Sequence, residues 1–184
     1  MSDEGDRVQT VYRGRIVNLD LEVVRLPNGS SVTLEIIHHS GAAAVVPLLP
    51  DNRVVLIYQY RHAAGGYIWE VPAGRLEPGE LPETCARREL AEEVGYRAGH
   101  LEKLGMIWTT PGFCDEKIHL FLGRDLTPCP VNHEVDEILE IREKPLEEAL
   151  SMIGRGEICD AKTVVSLQAA YFHLLGPRPR SSLE

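Results

Sequence analysis

The stretch GRLEPGELPETCARRELAEEVGY, residues 74–96, constrains this chain more than any other. Pro82 stands where a missing N–H costs a helix nothing, and Gly95 where a helix breaks. The spacing therefore predicts a helix of about three turns from roughly Leu81 to Val94. On it Glu89, Glu92 and Glu93 fall at i, i+3 and i+4 and share one side, while Ala86, Leu90 and Val94 form the adjoining apolar stripe. Like charges one turn apart destabilise a helix unless a cation lies among them. A divalent metal is the natural counter-charge, and hard carboxylate oxygens suit Mg²⁺ or Mn²⁺, with substrate phosphate oxygens completing the shell. A solvated acidic face, with Arg88 and Glu92 as an i,i+4 surface pair, would use the same helix. It gives no reason for Gly74, Glu80 and Gly95 to stand in register. Glycine permits turns closed to other residues and lets a loop fold back on the helix.

Length and composition fit one compact domain: 184 residues, 43% apolar and 26% charged, are enough to bury a sizeable core. There is no long apolar run and no signal-like N-terminus, so a soluble, cytoplasmic protein without a membrane partner is expected. A formal charge of −9 argues against a nucleic-acid partner, because binding by counterion release needs a basic surface. It leaves room for a phosphorylated small molecule, since metal ions and a few arginines reverse the sign locally. Cys85, Cys114, Cys129 and Cys159 form no C-x-x-C pair and read as free thiols, with Cys85, near the carboxylate face, a candidate for modification.

Strand signals dominate the remainder. VQTVYRG and RIVNLDLEVVRL precede a turn at Pro27-Asn28-Gly29, then come SVTLEIIHH, a break at Ser40-Gly41 and the apolar run AAAVVPLL. After a turn at Pro50-Asp51-Asn52 follow RVVLIYQYR, YIWEV, LEKLGMIW, KIHLFLGR and EILEI. Helical patterns recur only in PLEEALSMIG and AKTVVSLQAAYFHLL. Many strands with a few interspersed helices predict an α+β protein, a mixed sheet clamped between helices.

Nine fixed positions, Gly74, Glu80, Arg88, Glu89, Leu90, Glu92, Glu93, Gly95 and Tyr96, fit G-x5-E-x7-R-E-U-x-E-E-x-G-U, with U apolar or aromatic. The segment resembles the Nudix box. The resemblance runs over roughly residues 10 to 175. Gln59-Tyr60-Arg61, Trp69-Glu70-Val71-Pro72-Ala73-Gly74, Pro111-Gly112-Phe113 and Asp115-Glu116-Lys117 look like the ADP-ribose pyrophosphatase subfamily, as does Asp160-Ala161-Lys162-Thr163 after Gly156-Glu157-Ile158. In that subfamily a proline lies fifteen residues past the box, and Pro111 stands there.

The resemblance implies a Nudix α/β/α sandwich with N-terminal antiparallel strands. It also implies an extension over 1–40 serving dimerisation and substrate contacts, a hydrolase domain over 41–176, and a tail over 177–184. By the same resemblance Glu89 and Glu93 are the principal metal ligands, with Glu92 in support and the Ala73 carbonyl completing the site for Mg²⁺, or Mn²⁺ in its place. Arg88 orients carboxylates; Arg61, Glu70, Glu116, Pro111 and Gly112 serve the substrate. The catalytic base is expected from the acidic loop PVNHEVDE, 130–137, with Glu134 preferred, then Glu137, and Asp136 and His133 also placed there. The implied reaction is hydrolysis of the diphosphate of ADP-ribose to AMP and ribose 5-phosphate by a homodimer. GDP-mannose, another nucleoside diphosphate sugar or a dinucleotide is the alternative substrate, and a non-catalytic nucleotide sensor the alternative class.

Overall fold

The computed structural model describes residues 7–132 and 138–176, and its chain forms two compact units. Met1–Gly41 with Trp108–Lys117 make the first, and Ala42–Ile107 with Ile118–Glu184 the second.

In the first unit β1 (Arg7–Arg13), β2 (Asn18–Arg25) and β3 (Ser31–His38) form an antiparallel sheet in sequence order. The turn at 27–29 closes as its residues predict, with the Leu26 N–H donating to the Ser30 carbonyl at 2.8 Å and the Ser30 N–H to Asn28 Oδ1 at 3.0 Å. Arg15, Ile16 and Val17 are not strand, contrary to the continuous run expected there. A tight turn at 110–114 lies beside β3, where the Ile37 N–H donates to the Phe113 carbonyl at 2.7 Å.

The second unit is built on β4 (Ala42–Pro47), whose six residues are all buried. Side chains alternate across a strand. Ala42, Ala44 and Val46 join one apolar cluster with Leu146, Ala149, Met152, Leu167 and Ala170, while Ala43 and Val45 join another with Cys85, Ala86, Leu90 and Val94. The first cluster is capped by α2 (Leu146–Gly154) and α3 (Ala161–Leu174), the second by α1 (Pro82–Val94). This is the helix-flanked α+β layering expected from the sequence. β5 (Arg53–Arg61) divides likewise, Val54 and Leu56 to one cluster and Val55 and Ile57 to the other.

A mixed four-stranded sheet has the order β7-β4-β9-β8, where β7 is Ala73–Arg75, β8 Tyr96–Trp108 and β9 Lys117–Pro128. β4 pairs antiparallel with β7 and parallel with β9. A second sheet sets β5 antiparallel between β10 (Leu139–Pro145) and β6 (Gly66–Glu70). β7 is not among the expected strands, and β8 begins five residues before the expected Leu101. β8 is half-exposed along its length and interrupted by Gly99 and Gly105, so it lacks a clean apolar alternation. None of the described helices is long and apolar enough to cross a membrane.

Candidate active site

Helix α1 starts at Pro82 and stops at Gly95, whose φ of 70° is left-handed and whose N–H returns to the Leu90 and Ala91 carbonyls. A Cβ at position 95 would also lie 2.8 Å from the Cys129 carbonyl oxygen and 2.9 Å from Val131. The absence of a side chain lets residues 129–132 close over the helix end: the Cys129 N–H donates to the Gly95 carbonyl at 2.8 Å and the Asn132 N–H to the Glu92 carbonyl at 3.0 Å. The helix thus holds the first residues of the acidic loop. His133, Glu134, Asp136 and Glu137 lie outside the described residues.

The buried side of α1 carries two carboxylates beside its apolar stripe, with Glu89 8% and Glu93 3% exposed. Burial of two acids costs free energy unless each is paired. Glu93 Oε2 accepts the Ala73 N–H at 2.8 Å, which ties the carboxylate to β7. Glu89 packs over Gly74 so closely that a Cβ there would lie 1.8 Å from Oε1. Arg88 holds the group together. Its Nε and Nη2 bind both oxygens of Glu80 at 3.0 Å each, and its Nη1 donates to Glu89 Oε1 at 2.6 Å and Glu92 Oε2 at 3.1 Å. Hydrogen bonding to Arg88 holds the Glu80 carboxyl below its usual range, and Glu80 in turn raises the guanidinium. The i,i+4 contact of Arg88 with Glu92 exists, but it is one strand of a network rather than an isolated surface pair. One guanidinium thus joins three carboxylates, those of Glu80, Glu89 and Glu92.

Cys85 does not meet the expectation of a modifiable thiol. It is fully buried, its Sγ lies 3.4 Å from the Gly74 carbonyl oxygen, and burial followed by the charges of Glu89 and Glu80 pushes the thiol up to about 12.

Arg61 and Glu70, expected at the substrate, bond to each other: Arg61 Nε meets Glu70 Oε1 at 2.7 Å and Nη2 meets Oε2 at 3.0 Å. Glu70 is 1% exposed and Arg61 42%. Lys162, to which no role was assigned from sequence, also binds Glu70 Oε2 and meets Asp160 Oδ2 at 3.0 Å. Burial disfavours the charged form of Glu70, yet Arg61 and Lys162 outweigh it and hold the carboxyl below its usual range. Asp160 caps α3 by accepting the Thr163 N–H at 3.0 Å, and the Thr163 hydroxyl accepts the Val71 N–H at 2.9 Å. Arg61 also interacts electrostatically with Glu93, so this ionic cluster and the carboxylates of α1 share one field.

Pro111, Gly112 and Glu116 belong to the first unit. Pro111 and Gly112 form the exposed turn, and Glu116 lies 3.3 Å from His39 Nδ1. In that unit Asp20, Glu22 and His38 bring one ligand atom each within 4.8 Å of one another. Arg13, however, binds both oxygens of Asp20, at 2.6 and 2.9 Å, so this carboxylate already has its counter-charge. His38 bridges Asp115 and Glu22, which raise its pKa in that order.

Residues 38–167 match the NUDIX domain. The chain belongs to the Nudix family. Among Nudix relatives it is 40% identical over 162 residues to an ADP-ribose pyrophosphatase of Bacillus subtilis (strain 168), covering 87% of this chain and 88% of that protein. It is 35% identical over 158 residues to a GDP-mannose pyrophosphatase of Yersinia enterocolitica, covering 79% and 82%. The crystal structure of an ADP compounds hydrolase superposes with a TM-score of 0.81 at 26% identity, over 92% of each chain. The Nudix box is therefore the segment running from β7 through α1, with Glu89 and Glu93 on the buried side of the helix.

Proposed function

We propose that this chain hydrolyses the diphosphate bond of ADP-ribose to AMP and ribose 5-phosphate with a divalent cation, Mg²⁺ or Mn²⁺. The observation that carries this is the box geometry, where Glu89 and Glu93 are buried on one helix side, beside β7, with Arg88 aligning the carboxylates around them. Assignment as an ADP-ribose pyrophosphatase is supported by the relative of that name from B. subtilis.

Nudix hydrolases depend on a divalent metal, and the residues here fit one. The donors are hard carboxylate oxygens, and Gly74 leaves room for the Glu89 carboxylate where a Cβ would displace it. Glu89, Glu93 and the Ala73 carbonyl would hold the ion, with Glu92 in support. When bound, it supplies positive charge to the phosphate oxygens and acidifies water.

The protein's own residues then position and exchange charge. Arg61 binds the diphosphate. Arg88 keeps the carboxylates in place from outside the ligand set. Water attacks one phosphorus, the bond from that phosphorus to the bridging oxygen breaks, and the water proton passes to a carboxylate of the 130–137 loop. Glu134 is the first candidate base and Glu137 the second, as the family resemblance implies; the residues that open this loop are hydrogen-bonded to the box helix. Replacing each by Gln is expected to give one variant with strongly reduced kcat that still binds substrate, since a base acts mainly in the transition state. Full kcat in both would place the base elsewhere.

Selectivity must come from outside the box, which meets only metal and diphosphate. Pro111, Gly112, Glu116 and the N-terminal strands are the proposed sources of base and ribose contacts. In one reaction containing ADP-ribose, GDP-mannose and Mg²⁺, AMP is expected to form faster than GMP on chromatographic separation, because sites built to bond particular hydroxyls reject analogues that leave those bonds unmade. GMP in excess would move the assignment to GDP-mannose, and no turnover of either would favour a nucleotide sensor.

The same chain is proposed to act as a homodimer through its N-terminal strands. All seven residues of β1 are exposed, Val8, Val11 and Tyr12 among them, a surface that a second copy could cover. Light scattering at micromolar concentration is expected to give twice the chain mass; a single-chain mass overturns this.

A further inference from the structure

We propose that Lys162 is a positioning residue for Arg61: by sharing the Glu70 carboxylate it lessens the share of the Arg61 charge that this acid cancels, and so leaves more of it for the substrate diphosphate. This rests on the assignment of Arg61 to the diphosphate given above.

Glu70 is too deeply buried to meet a ligand, so its contribution passes through its partners. A carboxylate paired with one guanidinium would cancel that guanidinium's charge. Here the carboxylate is divided between two cations, with Arg61 on both oxygens and Lys162 on Oε2. Lys162 is 14% exposed and anchored a second time, on Asp160 at 3.0 Å. Asp160 is itself engaged at the start of α3 by the Thr163 N–H and hydroxyl. The lysine is therefore fixed by the protein and largely withdrawn from solvent. Arg61 is different. Its Nε and Nη2 face Glu70, its side chain is 42% exposed, and Nη1 makes no hydrogen bond among the described residues. The bidentate contact sets the plane of the guanidinium. The lysine sets how much of its charge remains for an anion.

A second link reaches the catalytic helix. Glu70 ends β6, the Val71 N–H is tied to Thr163 at 2.9 Å, and the Ala73 N–H to Glu93 at 2.8 Å. The segment 70–73 is thus pinned at one end by the Arg61–Lys162 cluster and at the other by a box carboxylate. Arginine at such a site is not replaceable by a point charge, whereas the lysine, acting by charge alone, is.

The experiment compares Lys162→Met, Lys162→Gln and Lys162→Arg, each with Arg61 intact and with Arg61→Met. The measurements are kcat and KM for ADP-ribose, and calorimetric Kd for inorganic pyrophosphate with Mg²⁺. Met and Gln are expected to raise KM and the pyrophosphate Kd by about tenfold, with kcat changed by less than about threefold. Arg is expected to restore both to within about twofold. In the Arg61→Met background neither neutral variant should weaken pyrophosphate further, because the two residues act as one unit. The Gln variant keeps a donor to Glu70, so the comparison survives should Met fail to fold. Equal losses in the two Arg61 backgrounds overturn the inference, as does a fall in kcat or thermal stability without a change in KM or Kd. A wild-type chain that does not bind pyrophosphate also overturns it. A wild-type chain that binds pyrophosphate but leaves ADP-ribose intact overturns the substrate assignment instead, and the pyrophosphate comparison still decides the role of Lys162.

Discussion

Glu93→Gln is expected to lower kcat by on the order of 10²-fold or more while leaving the fold intact, because a carboxylate that holds a metal or stabilises developing charge contributes on that scale. Glutamine keeps the shape, and its amide oxygen can still accept the Ala73 N–H that Glu93 Oε2 accepts at 2.8 Å. Only the charge is lost. Glu93 is 3% exposed, so a neutral group also relieves the cost of a buried anion, and the thermal midpoint should stay within a few degrees of wild type. Activity titrated against Mg²⁺ and thermal unfolding in chelator check both halves. Turnover near the wild-type value at saturating Mg²⁺ would remove Glu93 from the ligand set.

Gly74→Ala should cause a comparable loss by another route. The new Cβ would stand 1.8 Å from Glu89 Oε1, 2.0 Å from its Cδ and 2.5 Å from Oε2, so the carboxylate must move. It is the far end of a flexible side chain, so the backbone can stay where it is and the folding cost should be modest. The site cannot absorb the shift so easily: displacement by about 1 Å at a catalytic group can cost on the order of 10²-fold. The expected signature is a large fall in kcat with the unfolding curve nearly unchanged, and with Arg88 losing the Glu89 oxygen it meets at 2.6 Å. Wild-type kcat in a folded Gly74→Ala protein would mean that Glu89 does not act from its place over this glycine.

The box was legible because its constraints are local. Pro82 and Gly95 bracket α1 by backbone chemistry, and three acids on one helix side can be placed from the helical period alone. β4 was legible too, as an unbroken apolar run between turn residues. The ionic cluster was not. Glu70 and Lys162 are 92 residues apart, and Asp160-Ala161-Lys162-Thr163 stood out in the sequence without showing what it met. Pairing of a buried acid is a tertiary fact that periodicity does not carry. β7 was hidden for a simpler reason: three residues, Ala73-Gly74-Arg75, are too few to show an alternation, and the strand exists because β4 is there to receive it. Glu116 illustrates the reverse case, a residue singled out by motif whose contact, His39, could be found only in three dimensions.

The state of Cys85 bears on how the protein meets oxidants. With its thiol pushed up to about 12 and no surface exposed, it is held as the neutral thiol near neutral pH. Peroxide and electrophiles, which react with thiolate, therefore find little to attack beneath the carboxylates. Cys159 is the exposed thiol and stands one residue before the acid that caps α3. Covalent adducts are therefore expected at Cys159, at the start of α3, and not beneath the carboxylates of α1.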